Sequence, residues 1–164
     1  MDAFQRQIVD LLPRLRRLAR ALARNHADAD DLTQLALERA LARREQWGAG
    51  TRLDSWVFRI MKNAWIDETR TRSRQLRVFE PPEAGEAVAD SAVPAMETRL
   101  EAAEVARAMA ALPEDQRLAV ALVLVDGLSY REAAEVLETP VGTLTSRLVR
   151  GRLALLARLQ AAEV

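Results

Sequence analysis

The side chains best suited to chemistry in this sequence lie near its end, where they could bind DNA. Small polar residues and arginines follow a tight turn at residues 139–142, and they are Thr143, Thr145, Ser146, Arg147, Arg150 and Arg152. Hydroxyls and arginines read base edges and phosphates in the major groove. Leu144 and Leu148 would supply the buried side of the same helix, and Arg131 on the preceding helix is placed for a phosphate. Two short helices joined by about four residues predict a helix-turn-helix, and the alternative is an ordinary helical hairpin with solvated arginines.

A second set of candidate side chains, basic and aromatic, lies between residues 47 and 79. Five of the seven aromatic residues fall there, and they are Trp47, Trp56, Phe58, Trp65 and Phe79. The interleaved cations are Arg52, Arg59, Lys62, Arg70, Arg72, Arg74 and Arg77. Aromatic faces can stack on unpaired bases while cations hold the backbone, and the amide of Asn63 can read a base edge. The alternative is that Trp56 and Trp65 belong to a core and that Asn63 is an ordinary surface residue.

A third set is acidic, with Asp28, Asp30 and Asp31 at a predicted helix start. Helix capping and the helix dipole, worth roughly 0.3–1 kcal/mol per charge, would explain one or two of these carboxylates. The third, with Gln34 and Leu35 on an adjacent turn, could form a partner-binding face. We do not expect a magnesium site, because no phosphate-binding loop of the GxxxxGK[ST] type accompanies the cluster.

Composition narrows the classes of function. The chain has 164 residues, 49% of them hydrophobic, with 24 Lys and Arg against 24 Asp and Glu. It has no cysteine and a single histidine, His26, so disulfides and thiolate catalysis are excluded, and zinc sites or Ser-His triads are not expected. We therefore expect neither a cofactor nor enzymatic activity. No apolar run approaches the roughly 18 residues of a membrane span and no signal peptide is evident, which predicts a soluble, cytoplasmic protein.

Charge and composition divide the chain into three zones. Residues 1–77 hold 16 basic and 10 acidic side chains, residues 78–115 hold 2 and 9, and residues 116–164 hold 6 and 5. The acidic middle contains Pro81 and Pro82, which cannot continue a helix. We predict a flexible acidic linker over 77–95 between two modules, 1–76 and 96–164.

Apolar residues at helical spacing predict that both modules are all-α. In the first module the apolar stripes run from Phe4 to Leu22, from Leu32 to Leu41 and from Leu53 to Ala64. In the second module helices are predicted over Met96–Ala111, from Pro113, over Ser129–Glu138, and from Gly142 or Thr143 to Leu159. Leu118–Val125 is apolar enough to be core, and Ser129 with Glu132 fits a capping box.

Taken together, these segments resemble the extracytoplasmic-function (group 4) sigma factors of bacterial RNA polymerase, over nearly the whole chain outside the linker. Asp28–Leu32 with Gln34 resembles region 2.2 of that family, and Ser55–Ile60 with Asn63, Ile66 and Asp67 resembles regions 2.3 and 2.4. Leu112-Pro113 with Arg117 resembles the start of region 4. Gly127–Tyr130, Pro140–Leu144, Ser146–Leu148 and Arg150 resemble region 4.2. The opening Leu12–Arg17 is similar to that of the alphaproteobacterial general-stress subgroup.

The resemblance implies two small helical domains, sigma region 2 over 1–76 and sigma region 4 over 96–164, each with its own contacts. Residues binding core polymerase would be Asp28, Asp31, Leu32, Gln34 and Leu35. Residues binding the minus-10 DNA would be Arg52, Arg59, Lys62, Asn63, Arg70 and Arg72. Residues binding the minus-35 DNA would be Arg131, Thr143, Thr145, Ser146, Arg147, Val149 and Arg150.

The partners implied by the resemblance are core RNA polymerase through its β′ and β subunits, promoter DNA, and an anti-sigma factor that would hold the protein inactive until a stress releases it.

Two positions depart from the family pattern. Thr145 stands where a basic residue is common, which affects the upstream sequence preference, and Gly151 stands where alanine is common, which weakens a helix by about 1 kcal/mol.

Other functions compete with this interpretation. A sigma mimic that sequesters an anti-sigma factor without binding DNA would need neither the basic and aromatic set around Asn63 nor the arginine-rich last helix. A repressor that uses only the helix-turn-helix would not need the basic first module. A small hydrolase lacks a nucleophile and base.

Overall fold

The computed structural model describes residues 1–48, 50–76 and 96–162, with side chains from residue 100 onward in the last range. The predicted linker over 77–95, with Arg77 and Phe79, lies outside the described residues. The described residues form the α-helices α1 (Ala3–Leu22), α2 (His26–Ala42), α3 (Leu53–Leu76), α4 (Met96–Ala110), α5 (Glu114–Val120), α6 (Tyr130–Leu137) and α7 (Val141–Ala162). A 3₁₀ turn spans Arg44–Gln46 and a π-helical turn spans Ala121–Val125. These residues contain no strand, and the predicted all-α class is confirmed.

Local side-chain bonds explain where several helices begin. The side chain of Asp2 accepts from the backbone N–H of Gln5 at the start of α1. At the start of α2 the side chain of Asn25 accepts from the N–H of Asp28 at 2.8 Å. At α6 the Ser129 hydroxyl accepts from the N–H of Glu132, whose carboxylate accepts from the N–H of Ser129, so the predicted capping box is confirmed. Such bonds satisfy backbone donors that a helix start leaves free.

A left-handed residue makes the turn between α6 and α7. Glu138 ends α6 with φ of 55°, and the N–H of Thr139 then donates to the carbonyl of Ala134 at 3.1 Å. Helices commonly end with one such residue because it redirects the chain and satisfies a terminal carbonyl. Helix α7 begins at Val141, one or two residues before the predicted start at Gly142 or Thr143, and continues to Ala162 rather than ending near Leu159.

Helices α1, α2 and α3 pack around an apolar core that the predicted stripes supply. The fully buried large side chains of these helices are Leu15, Leu18, Leu22, Leu32, Val57, Phe58 and Met61. Small residues such as Ala36 and Ala40 let α2 approach its neighbours closely. This packing fixes the orientation of α3, which carries most of the predicted minus-10 residues.

Helices α4 to α7 form the second helical set. Residues 118–122 are buried, but Leu124 and Val125 are 51% and 37% exposed, so the expectation that all of 118–125 is core was wrong for its end. The last part of the π-helical turn faces outward before Gly127, at φ of 72°, redirects the chain into α6. Leu144 and Leu148 of α7 and Val136 of α6 complete this core.

The two helical sets pack against each other. Helix α3 contacts α6, and α1 contacts the π-helical turn and the start of the second set. Arg117 of α5 joins the sets, because its guanidinium lies over the ring of Trp65 at 5.4 Å and donates to the carbonyl of Leu22 at 3.3 Å. The same guanidinium donates to the carbonyls of Ala110 and Leu112 at 2.8 Å, at the end of α4. One contiguous core therefore runs through both sets.

Candidate nucleic-acid interface

Helix α7 presents a polar face opposite its buried leucines. Leu144 and Leu148 are buried, whereas Ser146, Val149 and Arg150 are exposed. Residues three and four apart lie on one face of a helix, so these three side chains form a continuous exposed patch. A hydroxyl, a branched methyl pair and a guanidinium are side chains that can contact base edges in the major groove.

Hydrogen bonds distinguish the predicted minus-35 residues from one another. The Nε of Arg150 donates to the carbonyl of Ser146 at 3.3 Å, which leaves the two terminal nitrogens of its guanidinium for another acceptor. The hydroxyl of Thr145 donates to the carbonyl of Val141 at 2.8 Å, so its proton is used within α7. Arg147 is half-buried and pairs with Asp115 of α5 at 3.5 Å, which ties α7 to α5.

The remaining predicted minus-35 residues lie at the edges of this face. Arg131 near the start of α6 is exposed, as a phosphate contact requires. Thr143 in the first turn of α7 is half-buried. Their placement leaves Ser146, Val149 and Arg150 as the centre of the exposed face.

Three of the cations predicted for minus-10 DNA are paired with α6 or with Glu138, the residue after it: Arg52 just before α3, and Arg59 and Lys62 in its first part. We call Arg52, Arg59 and Lys62 the cation row. Arg52 forms an ion pair with Glu132, and Lys62 pairs with Glu138 at 3.4 Å. Arg59 donates to the carbonyl of Glu135 at 3.1 Å and lies 3.8 Å from a Glu138 carboxylate oxygen. The second helical set therefore occupies the side of α3 that was expected to hold a DNA strand.

The carboxylate of Asp54, in the first helical set, fixes the position of Arg52, the first residue of the cation row. Asp54 binds Arg52 at 2.7 Å and Arg14 at 3.1 Å. Burial of Asp54 would raise the pKa of its carboxyl, but the hydrogen bonds from Arg52, Arg14 and the N–H of Ser55 outweigh it and lower that pKa. Asp54 is therefore ionised and holds the guanidinium of Arg52 toward α6.

The other predicted minus-10 residues lie outside this contact. Asn63 and Arg70 are exposed on α3, so their side chains are open to a ligand. Arg72 is 36% exposed at its side chain and pairs with Asp28 of α2 at 2.6 Å. Arg72, which was predicted to bind DNA, and Asp28, which was predicted to bind polymerase, thus form an ion pair with each other in this structure.

The acidic face of α2 is only partly as expected. Asp31 and Gln34 are exposed, and Asp28 is half-buried beside Arg72. The expectation that Leu32 lies on a partner-binding face was wrong, because its side chain is fully buried among the helices of the first set. Leu35 is half-buried and packs against the same core.

The aromatic residues divide between core and surface. Phe58 and Trp65 are buried, so neither ring is available to stack on a base, and the core alternative holds for Trp65. Trp56 is half-buried and packs edge-on against Phe4, with ring centroids 6.4 Å apart. Trp47 is half-buried as well, and its indole N–H donates to the carbonyl of Thr51 at 3.0 Å.

Sequence reasoning missed the acidic residues that cover the cation row. Glu132, Glu135 and Glu138 recur every three residues, a spacing typical of one side of a helix. In the structure Glu138 follows the end of α6 in a left-handed conformation, and Glu135 contributes its backbone carbonyl. That spacing, set beside Arg59 and Lys62 three residues apart on α3, is a signal that could have indicated the pairing. Among the described residues no group of three His, Cys, Asp or Glu side chains comes together as a metal site would require.

Comparisons with known proteins agree with the two helical sets. The family model for sigma-70 region 4 matches residues 102–155, and the model for the sigma2 domain of PhyR matches residues 8–62. The ECF RNA polymerase sigma factor EcfG of Rhodopseudomonas palustris is 36% identical over 151 residues, which cover 92% of this chain and 82% of that protein. The chain belongs to the ECF RNA polymerase sigma factors. ECF sigma factor SigM of Mycobacterium tuberculosis is 38% identical over 145 residues, which cover 88% of this chain and 70% of SigM.

Two solved structures share the fold. The sigma factor RpoE from Bartonella quintana, solved in complex with the anti-sigma factor NepR, superimposes with a TM-score of 0.85 at 28% identity and covers 98% of both chains. CnrH, solved with the cytosolic domain of CnrY, gives a TM-score of 0.70 at 27% identity and covers 96% of this chain and 90% of CnrH. Within the described part of this ECF sigma factor, no helix has the length and apolarity of a bilayer span.

Proposed function

We propose that this sigma factor joins core RNA polymerase and directs transcription initiation at promoters with two recognition elements. The observation that carries the proposal is the match of separate sigma domain models to the two helical sets, each of which presents exposed residues suited to its role. The modules would be 1–76 and 96–164, with the acidic stretch 77–95 connecting them along the polymerase. No covalent chemistry is required of the protein in this role.

The minus-35 element is the proposed ligand of α7. Insertion of α7 into the major groove would bring Ser146, Val149 and Arg150 to base edges. Arg150 suits a guanine, because its free terminal nitrogens can donate to the O6 and N7 atoms, and Val149 suits a thymine methyl. Arg131 would hold a phosphate at the edge of the site. Because Thr145 uses its proton within α7, we assign it a smaller share of the specificity.

The minus-10 element is the proposed ligand of α3, after the duplex opens. Asn63 is exposed and would bind the edge of a base that has left the stack, with the loop around Trp47 closing on it. Extrusion of a base costs a few kcal/mol, so pocket contacts must offset that cost. The cation row, Arg70 and Arg72 would bind the phosphates on either side.

The β′ subunit of core polymerase is the proposed partner of α2, with β as a further contact. Asp31 and Gln34 offer an exposed carboxylate and amide on one side of α2, and Asp28 lies at its start. Leu32 supports this face from the core rather than touching the partner.

An anti-sigma factor is the proposed regulator. RpoE of Bartonella quintana was solved with the anti-sigma factor NepR, and the similarity of this chain to it covers both helical sets. The match of residues 8–62 to the sigma2 domain of PhyR and the similarity to EcfG support a place in the general-stress subgroup. A sigma mimic is not favoured, because the exposed Ser146, Val149 and Arg150 face would then have no use.

Run-off transcription with purified core polymerase tests the proposal. Core enzyme with and without the full chain would be offered a library of genomic fragments, and the transcripts would be sequenced. We expect new start sites that share two spaced motifs. Unchanged start sites together with a failure to bind core polymerase would refute the proposed function.

A further inference from the structure

We propose that the first turn of α1 braces the loop between α2 and α3 and thereby sets the base preference at the minus-10 element. We call residues 43–48, 50 and 51 the α2–α3 loop. The proposed function assigns base capture to this loop, around Trp47, and the inference rests on that assignment. Asp2 and Phe4 act on the base only through the loop, so they are positioning residues.

Two contacts join Arg44 of the α2–α3 loop to the first turn of α1. Its guanidinium donates to one carboxylate oxygen of Asp2 at 2.8 Å and lies 4.8 Å from the ring centroid of Phe4. The other oxygen of Asp2 accepts from the N–H of Gln5 at 2.9 Å, which fixes the carboxylate at the helix start. The hydrogen bonds from Gln5 and from Arg44 lower the pKa of Asp2, so the carboxylate stays ionised for Arg44.

Phe4 is the point where the loop and the start of α3 both meet α1. Its side chain is buried, and its ring centroid lies 5.8 Å from that of Trp47 and 6.4 Å from that of Trp56. Tilted and edge-on aromatic pairs at such distances are favourable. The indole N–H of Trp47 also donates to the carbonyl of Thr51, so the ring that rests on Phe4 closes the loop as well. A displacement of Phe4 would therefore displace the loop.

The loop has few other directed contacts. Among its described residues, each side-chain hydrogen bond, ion pair and ring contact that leaves the loop ends on Asp2 or Phe4. The Arg44 and Asp2 side chains are 43% and 48% exposed, and exposed pairs of this kind add little to global stability. Removing the pair should therefore loosen the loop while the fold is kept, which separates positioning from a purely structural role.

Two substitutions remove the ion pair from either side. Asp2→Asn keeps the helix cap, because the side-chain oxygen of asparagine can still accept from the N–H of Gln5, but it removes the charge that holds Arg44. Arg44→Gln removes the other partner. The matched controls are Asp10→Asn, exposed on the same helix, and Arg43→Gln, exposed beside Arg44 in the same loop.

A direct contact between Arg44 and DNA is the alternative explanation for any effect of Arg44→Gln. In that case Asp2→Asn would leave the base preference unchanged, because a carboxylate offers nothing to a phosphate. A brace instead requires that either substitution has the same effect and that the double variant adds nothing further, since both remove one interaction.

Solvent exchange of indole protons, followed by NMR on the free full chain, measures the loop directly. The chain has three tryptophans, so each indole N–H can be followed separately. In Asp2→Asn and in Arg44→Gln the indole proton of Trp47 should exchange several-fold faster, whereas that of the buried Trp65 should not change. Any affinity tag is placed at the carboxyl end, away from Asp2. An unchanged exchange rate for Trp47 overturns the inference without reference to polymerase.

Transcription with core polymerase, from promoters that differ at single minus-10 or minus-35 positions, measures the base preference. The preference at the captured minus-10 base should fall by about tenfold in both variants, because contacts are sensitive to displacements of about 1 Å in the residues that hold them. Preference at the minus-35 positions, binding to core and the thermal melt should keep the parent values. Phe4→Leu keeps an apolar side chain but removes the ring, and it should lower the same preference.

The outcomes separate this inference from the proposed function. Parent-level minus-10 preference in Asp2→Asn, while the parent initiates normally, overturns the inference and leaves the proposed function standing. An equal fall in either control, additive effects of Asp2→Asn and Arg44→Gln, or an equal fall at the minus-35 positions overturns it as well. No initiation by the parent refutes the proposed function and, with it, the role of the loop at the minus-10 element.

Discussion

A Cβ atom built on Gly151 of α7 would lie 2.9 Å from Cγ2 of Val120 in α5. It would also lie 3.2 Å from the backbone carbonyl oxygen of Gln116. Carbon atoms do not pack at such distances, so α7 approaches α5 this closely only because residue 151 is glycine. Gly151, which stands where alanine is common in the family, therefore allows α7 to pack closely on α5. That packing sets the position of α7, the helix proposed to enter the major groove.

We expect Gly151→Ala to lower the free energy of unfolding by about 1 kcal/mol, because overpacking costs more than alanine gains in helix propensity. Urea unfolding followed by circular dichroism measures this change. Gly142→Ala is the matched control, since no atom lies within 4 Å of its Cβ position and the same helix is involved. Equal effects of the two substitutions would show that the contact with Val120 does not limit α7.

Local patterns in the sequence were enough to predict the helices and the capping box at Ser129. That capping box depends on residues three apart, and apolar spacing determines which side of each helix is buried. The cap of α2 was assigned to the carboxylates that follow, whereas the structure gives it to Asn25. These features depend on near neighbours in the chain, so an all-α fold with a helix-turn-helix could be predicted without tertiary information.

Contacts between distant residues account for the ion pairs that the sequence did not predict. The burial of Leu32 is a different case, because the apolar stripe from Leu32 to Leu41 predicts it and only the resemblance placed Leu32 on a partner-binding face. Lys62 belongs to a basic stretch, but its ammonium pairs with Glu138, which is 76 residues away. Burial and ion pairing of this kind depend on how the two helical sets pack together, and the periodicity of a single segment does not determine that packing.

Asp31→Ala should weaken binding to core polymerase without lowering stability, because its carboxylate is exposed on the proposed partner face. Co-purification with tagged core enzyme and a thermal melt measure the two effects. Asp30→Ala is the control, since Asp30 is exposed on the same helix but is not assigned to the interface. Normal co-purification of the Asp31 variant would remove this residue from the proposed interface.

Arg150→Ala should reduce use of the minus-35 element by about 1–3 kcal/mol if its guanidinium contacts a base. Transcription from promoters that differ only at single minus-35 positions measures the loss and shows which position becomes degenerate. Arg158→Ala removes the same charge from an exposed part of α7 further along and should have a much smaller effect. A uniform loss across all promoter variants would instead indicate a phosphate contact for Arg150.

Asp126 is a buried carboxylate at the contact between the helical sets. Its side chain has 0% exposure, one oxygen accepts from Arg17 at 3.3 Å, and the other has no hydrogen-bond partner. Burial raises the pKa of Asp126 above its ordinary value, although Arg14 and Arg17 oppose the shift. The folded state therefore holds this proton more tightly than the unfolded chain does.

The sign of the pH dependence follows from that raised pKa. The stability that the raised pKa of Asp126 contributes is fully present below the ordinary pKa of an aspartate. This stability is lost as pH rises through the folded-state pKa, and the loss is about 1.4 kcal/mol for each unit by which the folded-state pKa exceeds the unfolded-state pKa. Asp126→Asn keeps an oxygen for Arg17 and abolishes the titration, so the variant should gain stability relative to the parent as pH rises from about 4 to 7. Urea unfolding of both proteins across this range measures the difference, with the exposed Asp10→Asn as control. A difference that stays constant with pH would mean that the Asp126 carboxyl titrates alike in the folded and unfolded chains.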